Sequence, residues 1–214
     1  MWGKKPKFTS YTVNWLKLQE DTALIHLLQS GDPSAYRVLV KLYKDRVYNT
    51  CYSFLKRQDL AEDQAQEVFI AIFRSIGSFE GKSKLSTWIY KIAVTKCLDH
   101  IRTQHRQKRR ANGFLSLFSL QHEIPEEKGA TPYEHLSNKE SGQAIAEAID
   151  ALPEKYKTVF ILKYMEGLSQ QEIAIITEST EKSVEGILTR SRQQLKEKLK
   201  EYYREMKESN WFHL

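Results

Sequence analysis

Apolar positions recur every three or four residues along most of the chain and alternating strand-like runs are nearly absent, so an all-α fold is expected. From Asp32, an N-cap followed by proline, Tyr36, Leu39, Tyr43, Val47, Cys51 and Phe54 mark the buried stripe of one long helix. Asp59 and Glu62 place carboxylates in the first turn of the next helix, which should carry Val68, Phe69, Ile72, Phe73 and Ile76 inward and stop at Gly77. A third helix starts near Ser83 and turns Leu85, Ile89, Ile92 and Ile101 to the core. The period fails after about Arg110, where Gly, Pro, Ser and Glu mix without pattern. It returns at Ala144, and Pro153 precedes a mostly buried helix with Val159, Phe160, Leu162 and Tyr164. Ser169 and Glu172 then make a capping box for a short helix, Thr177 to Thr180 is a turn, and a longer helix runs to about Glu205.

This pattern divides the chain into two small helical domains joined by a flexible linker. The expected pieces are an extension over 1–20, a first domain over 21–103, a linker over 104–141, a second domain over 142–206 and a tail over 207–214. At 214 residues and 41% hydrophobic content, the chain can bury two small cores. A formal charge of +6, from 33 Lys and Arg against 27 Asp and Glu, favours polyanionic partners. With only Cys51 and Cys97, a disulfide framework is excluded and reduced core thiols are expected. The histidines are scattered without the spacing that puts two ligands on one helical face, so neither metal nor cofactor is expected. No P-loop or nucleophile and base signature points to an enzyme. Residues 1–20 carry lysines but no continuous apolar run, and no stretch approaches membrane-span length, so the protein should stay in the cytoplasm.

Two stretches carry chemistry. The short helix, polar turn and longer helix with Val184, Leu188 and Leu195 inward form a helix-turn-helix whose second helix suits a major groove. Its outer face is Glu181, Lys182, Glu185, Gly186, Thr189, Arg190 and Gln193, with Arg190, Arg192, Lys196 and Lys198 placed to neutralise phosphates. On the third helix of the first half, Lys84, Trp88, Lys91, Thr95 and Arg102 share one face opposite the apolar core. Cations interleaved with an aromatic at that spacing suit a single strand, the lysines holding phosphates while the indole stacks on an unpaired base. The loop "SFEGKSKLS", with Phe79 at its edge, offers a pocket for a base taken out of the stack. A helical hairpin and a solvated basic face are the plainer readings of each stretch alone. Together they point to a chain that meets both duplex and unpaired nucleic acid.

The segments "DLAEDQAQEVFIAIFRSIGSF", "SKLSTWIYKIAVTKCLDHIR" and "ALPEKYKTVFILKYMEGLSQQEIAIITESTEKSVEGILTRSRQQLKEKL" closely resemble bacterial RNA polymerase sigma factors of the extracytoplasmic function group, over roughly Asp21 to Leu199. The resemblance implies that Asp59, Glu62, Asp63, Gln66, Glu67 and Phe69 dock onto the clamp helices of the polymerase's largest subunit. It implies that Phe79 to Lys84, including Lys82 and Ser83, with Trp88, Lys91 and Thr95, capture a flipped base of the −10 element and hold the melted non-template strand; Arg102 extends that face. Lys182, Ser183, Glu185, Gly186, Thr189, Arg190 and Arg192 fall where the family reads the −35 element as duplex. The implied protein is a cytoplasmic, non-catalytic promoter-specificity subunit that does not insert into a membrane. Its implied partners are RNA polymerase core, promoter DNA and an anti-sigma factor.

The chain departs from the family in four places: Glu185 and Ile187 stand where many members have Lys and Arg, Glu178 where Gly is frequent, and Thr95 where Asn is frequent. The competing reading is a free-standing helix-turn-helix regulator that binds duplex DNA without polymerase, usually a palindrome as a dimer. Magnitudes favour a subunit. Opening on the order of ten base steps at about 1.4 kcal/mol each costs roughly 14 kcal/mol, while stacking returns only about 1–3 kcal/mol per captured base. A larger machine has to share that cost.

Overall fold

The computed structural model describes residues 22–115 and 139–211, and among them finds eight α-helices and no strand. Helix α1 (22–29) leads through Gly31, at φ 80°, into α2 (Pro33–Leu55). Asp32 caps α2, its Oδ1 accepting the Ser34 N–H at 2.6 Å, and Pro33 sits where a missing N–H costs nothing. Helix α3 (Gln58–Ser75) tightens into a 3₁₀ turn over Ile76–Ser78, and α4 (Leu85–Leu115) follows. These three long helices pack pairwise around Leu39, Val47, Cys51, Ala61, Val68, Ile72, Leu85, Ile89 and Cys97, all nearly or wholly excluded from solvent. The second domain lays α5 (Lys139–Asp150), α6 (Glu154–Tyr164) and α7 (Gln170–Ile176) against α8 (Glu181–Trp211).

The buried stripes follow the expected period with two exceptions. Phe73 is 61% exposed, standing edge-on to Tyr36 at 5.2 Å, because α3 gives its inner face to Val68 and Ile72. Tyr164 is 49% exposed against Phe160, since Ile161 and Leu162 fill the core at that end of α6. Helix α4 also continues to Leu115, beyond Gln104 where the linker was expected to begin. The run of Arg, Gln and Lys there lacks an apolar stripe but consists of good helix formers, which propagate a helix already nucleated. Helix α8 likewise runs through Trp211, taking in the start of the expected tail. The expected linker over 104–141 is thus entered from both sides, since α5 already starts at Lys139, and its residues 116–138, like the expected extension over 1–20, lie outside the described residues.

The two domains pack together. Helix α4 lies against α7 and α2 meets α6, and one continuous apolar cluster runs from Leu28 and Cys97 into Val159, Ile173 and Leu188. Glu166, just after α6, hydrogen-bonds Thr50 and Tyr90 of the first domain; burial, partly offset by those bonds, holds its carboxyl above the usual range. Burial and the neighbouring Glu166 push the Tyr90 hydroxyl up to about 12. Lys56, which ends α2 at φ 57°, has its ammonium pKa drawn down by burial while Asp150 of the second domain opposes the shift. The thiols of Cys51 and Cys97 are both buried and free, and the hydrogen bond from Cys51 together with burial raises the Cys97 pKa, keeping it an unreactive thiol.

Candidate functional site

Three surfaces gather the residues singled out in the sequence. The first is an exposed stripe along α3. Asp59, Glu62, Asp63, Gln66 and Glu67 are all exposed, and the same face continues into Ile70, 41% exposed, and Phe73. Asp59 is held by Arg57, whose hydrogen bonds keep the carboxyl below its usual range, and Glu67 pairs with Lys96 at 3.4 Å. Asp63 takes part in no ion pair among the described residues, which leaves its charge available to a partner. Phe69 is half-buried against the core, and its backbone carbonyl accepts the Tyr36 hydroxyl, so its side chain does not stand with the exposed carboxylates.

The second surface is the outer face of α4 with the loop before it. Phe79 is 7% exposed, not at an open edge: Gln29 Nε2 donates to its carbonyl at 2.8 Å and its ring tilts against Trp88 at 5.2 Å. Trp88 is half-buried and packs on the shared core, so this aromatic pair forms the floor of the face. Lys82 pairs locally with Glu80, Ser83 is half-buried and Thr95 is exposed. The remaining three cations reach the second domain. Lys84 Nζ meets Glu172 at 2.8 Å, Lys91 Nζ meets Glu178 at 2.8 Å and Arg102 meets Glu154 at 2.7 Å. The face expected to look outward is therefore crossed by α7.

The third surface is the helix-turn-helix. Ser169 and Glu172 form the expected capping box: the serine hydroxyl accepts the Glu172 N–H at 3.2 Å while a glutamate oxygen accepts the Ser169 N–H at 2.9 Å. Helix α7 closes with the Ser179 N–H donating to Ala174 and the Glu178 N–H to Ile175, a Schellman end whose left-handed position is occupied by Glu178 at φ 51°. Thr180 then caps α8, its hydroxyl accepting the Ser183 N–H at 3.2 Å. Val184, Ile187 and Leu188 are buried. Ile187 thus belongs to the core, which explains why an apolar residue is tolerated in the recognition helix. Lys182, Glu185, Thr189, Arg190 and Arg192 are exposed, and Ser183 is half-buried. The space beside Gly186 is open, so another backbone can approach there.

Sequence reasoning missed the carboxylates that meet the α4 cations. Glu172 read only as the capping-box partner of Ser169 and Glu154 was not singled out, and nothing local signals a partner 88 or 52 residues away. Glu178 alone gave a sign, being a side chain where a turn favours glycine. Among the described residues no group of His, Cys, Asp and Glu could hold a metal ion, and no helix is long and apolar enough to cross a membrane.

The chain matches the family Sigma-70 region 2 over residues 39–107 and Sigma-70 region 4 over residues 142–195. It is 33% identical over 184 residues to the ECF RNA polymerase sigma factor SigW of Bacillus subtilis, covering 83% of this chain and 95% of that one. It is 30% identical to the ECF RNA polymerase sigma-E factor of Haemophilus influenzae, over 84% of this chain and 95% of the relative. In fold it resembles CnrH in its complex with the cytosolic domain of CnrY, with a TM-score of 0.60, 20% identity and 84% and 97% of the two chains covered. A second similar fold is the sigma factor RpoE of Bartonella quintana, bound to the anti-sigma factor NepR, with a TM-score of 0.58, 22% identity and coverage of 77% and 96%.

Proposed function

The chain belongs to the extracytoplasmic function group of RNA polymerase sigma factors, whose role is promoter recognition, and from that premise we propose how its own surfaces divide the work. The α3 stripe docks the chain on the clamp helices of polymerase core. The α4 face, with Trp88 and Phe79 as its floor, holds the −10 non-template strand and helps to open it. The outer face of α8 reads the −35 element as duplex, Arg190 and Arg192 holding phosphates while Glu185 accepts from a cytosine amino group. The division of residues 21–103 and 142–206 into strand-binding and duplex-binding domains follows from the same assignment. The chain forms no bonds itself and acts in the cytoplasm, bond formation belonging to the core. An anti-sigma factor, the kind of partner seen in the complex of the RpoE relative, masks the docking surfaces of this chain until a signal releases them.

The observation that supports a polymerase subunit over a free-standing regulator is the α3 stripe, an exposed acidic face running into exposed Ile70 and Phe73. A regulator that needs only duplex DNA has no use for it. Asp63→Lys tests the reading, because Asp63 is exposed and unpaired among the described residues, so its reversal should leave the fold intact. The variant should bind core about tenfold or more weakly by size-exclusion co-elution and titration, since a like charge in a complementary interface is strongly unfavourable. Undiminished binding removes the docking assignment. Failure of the wild type to co-elute with core would turn attention to the regulator reading.

A further inference from the structure

The match to Sigma-70 region 2 begins at residue 39, so α1 lies ahead of it, and the assignments above give that helix no work. Its apolar side still packs on the core, through buried Leu28 and half-buried Leu24 and Ile25. Gln29, the last residue of α1, donates from Nε2 to the Phe79 carbonyl at 2.8 Å, and the same nitrogen lies 3.5 Å from the Ile76 carbonyl. Phe79 is the C-cap of the 3₁₀ turn after α3, so no further turn of helix supplies its carbonyl with a donor. Two carbonyls facing one amide also fix its orientation, since only the NH₂ group can meet them. We propose that Gln29 is a positioning residue for the −10 strand: by tying down the end of the turn, it presets the loop over 80–84 and the aromatic floor behind it for an unpaired base. The proposal rests on the assignment of the α4 face and its loop to that strand.

Phe79 is where the backbone turns from helix into loop. Its N–H donates back to Ile76 at 3.1 Å, its ring is buried, and the ring leans on Trp88 at 5.2 Å. At the far end of the loop, the Lys84 carbonyl accepts the Trp88 N–H at 3.1 Å. Between these two anchors the contacts are local: Lys82 pairs with Glu80, and the Ser83 hydroxyl donates to the Lys84 carbonyl at 3.4 Å. Gly81, exposed and at φ 70°, adds a backbone freedom that favours glycine. The course of the loop therefore follows from how its ends are held, and Gln29 holds the first end from 50 residues away. A neutral hydrogen bond shifts a two-state segment by about 2- to 10-fold. A strand that binds only the preset conformer loses affinity as that conformer is depopulated. Because the amide is committed to the protein, its removal takes away no phosphate contact, and the salt dependence of strand binding should not change.

The test compares wild-type holoenzyme with Gln29→Met, which keeps the side-chain length and lacks the donor, and with Gln29→Lys, which supplies a donor again. On a promoter that wild type opens, Gln29→Met should slow opening roughly threefold, read from permanganate reactivity of unpaired thymines. Gln29→Lys should open it at close to the wild-type rate. Core affinity, −35 duplex affinity and the melting curve of the chain should be the same for Gln29→Met and wild type. In the free chain, trypsin should cut Gln29→Met after Lys82 roughly threefold faster, because cleavage tracks the population of loops that leave the preset path. Opening and cleavage both at wild-type rates would overturn the positioning role and leave the strand assignment standing. Faster cleavage with unchanged opening would mean that Gln29 holds the loop but the loop does not hold the strand, and the proposal falls with the assignment. Three results would overturn the positioning role by giving Gln29 another one. Slower opening without faster cleavage would mean that it acts by a route other than the loop. Weaker core binding, or slow opening that Gln29→Lys fails to restore, would make it a packing residue of the first domain. A flatter salt dependence would make it a DNA contact.

Discussion

The α4 and α8 faces carry the same chemistry and differ in what stands opposite. Along α4, Lys84 just before its first turn and Lys91 and Arg102 within it each face a carboxylate of the other domain. On α8, none of Lys182, Arg190, Arg192, Lys196 and Lys198 enters an ion pair among the described residues, and Arg192 bonds only within its own helix, to Leu188 and Thr189. Counting cations alone, three against five, marks both faces as able to meet phosphates. Availability ranks them differently, because a phosphate approaching α8 displaces only water and counterions, whereas one approaching α4 must also displace a carboxylate. On the strand and duplex assignments proposed above, duplex contact would meet no ion pair on α8, whereas strand contact would have to displace the carboxylates paired along α4.

The largest effect that sharpens this contrast should come from Trp88, since stacking on an aromatic is worth about 1–3 kcal/mol per base by alanine substitution. In the holoenzyme, Trp88→Ala should slow promoter opening by roughly tenfold or more on that scale, read from permanganate reactivity of unpaired thymines. Binding to −35 duplex should not change. Because Trp88 also packs on Phe79, Trp88→Phe serves as the control that keeps an aromatic on the core. Opening at the wild-type rate by Trp88→Ala would take the stacking role away from α4.

A smaller effect should come from Arg190, and its form matters more than its size. If Arg190 holds one phosphate, Arg190→Ala flattens the salt dependence of −35 binding by about one unit in a log–log plot. The change should be the same in the free chain and the holoenzyme, because among the described residues Arg190 is exposed and enters no ion pair. Arg102→Ala should behave otherwise, altering the salt dependence of strand binding in the holoenzyme and hardly at all in the free chain, where Glu154 already occupies the guanidinium. Identical behaviour of the two arginines in both states would erase the difference between the faces.

What could be read from the sequence divides along the same line. Helix positions, caps and inner stripes were legible because they are local: Asp32, Ser169 and Glu172 cap as their spacing predicts, and Leu39, Val47, Val159 and Val184 are buried as their period requires. The outward face of α8 was legible for the same reason. The α4 face was only half legible, since its residues share a face as predicted but periodicity cannot say which other element lies across it. Phe79 and Phe73 exchanged their expected places, one buried and one exposed, because a loop closure and a neighbouring tyrosine decided their packing. Pairs such as Lys84 with Glu172 depend on how the domains dock, which no window along the chain contains.

The smallest predicted effect is a pH dependence of domain packing with two opposed parts. Burial raises the carboxyl of Glu166 above the usual range, against the bonds from Thr50 and Tyr90, so the packed state binds that proton more tightly than a state with the domains apart. Lowering the pH from neutral into the carboxylate range should therefore tighten packing. For Glu172, partial burial is outweighed by hydrogen bonds from Lys84 and Ser169, and for Glu178 the bond from Lys91 dominates, so both carboxyls lie below the usual range. Their contribution persists until the pH drops below that range and is then lost. The fraction of chains with the domains packed, followed by scattering or by fluorescence transfer between labelled domains, should rise and then fall as the pH decreases. The change should stay within roughly twofold, since these groups are partly solvated. Glu166→Gln should abolish the rise and leave the fall. A rise that survives in that variant would mean that another group supplies the proton-linked packing and that Glu166 is solvated in the free chain.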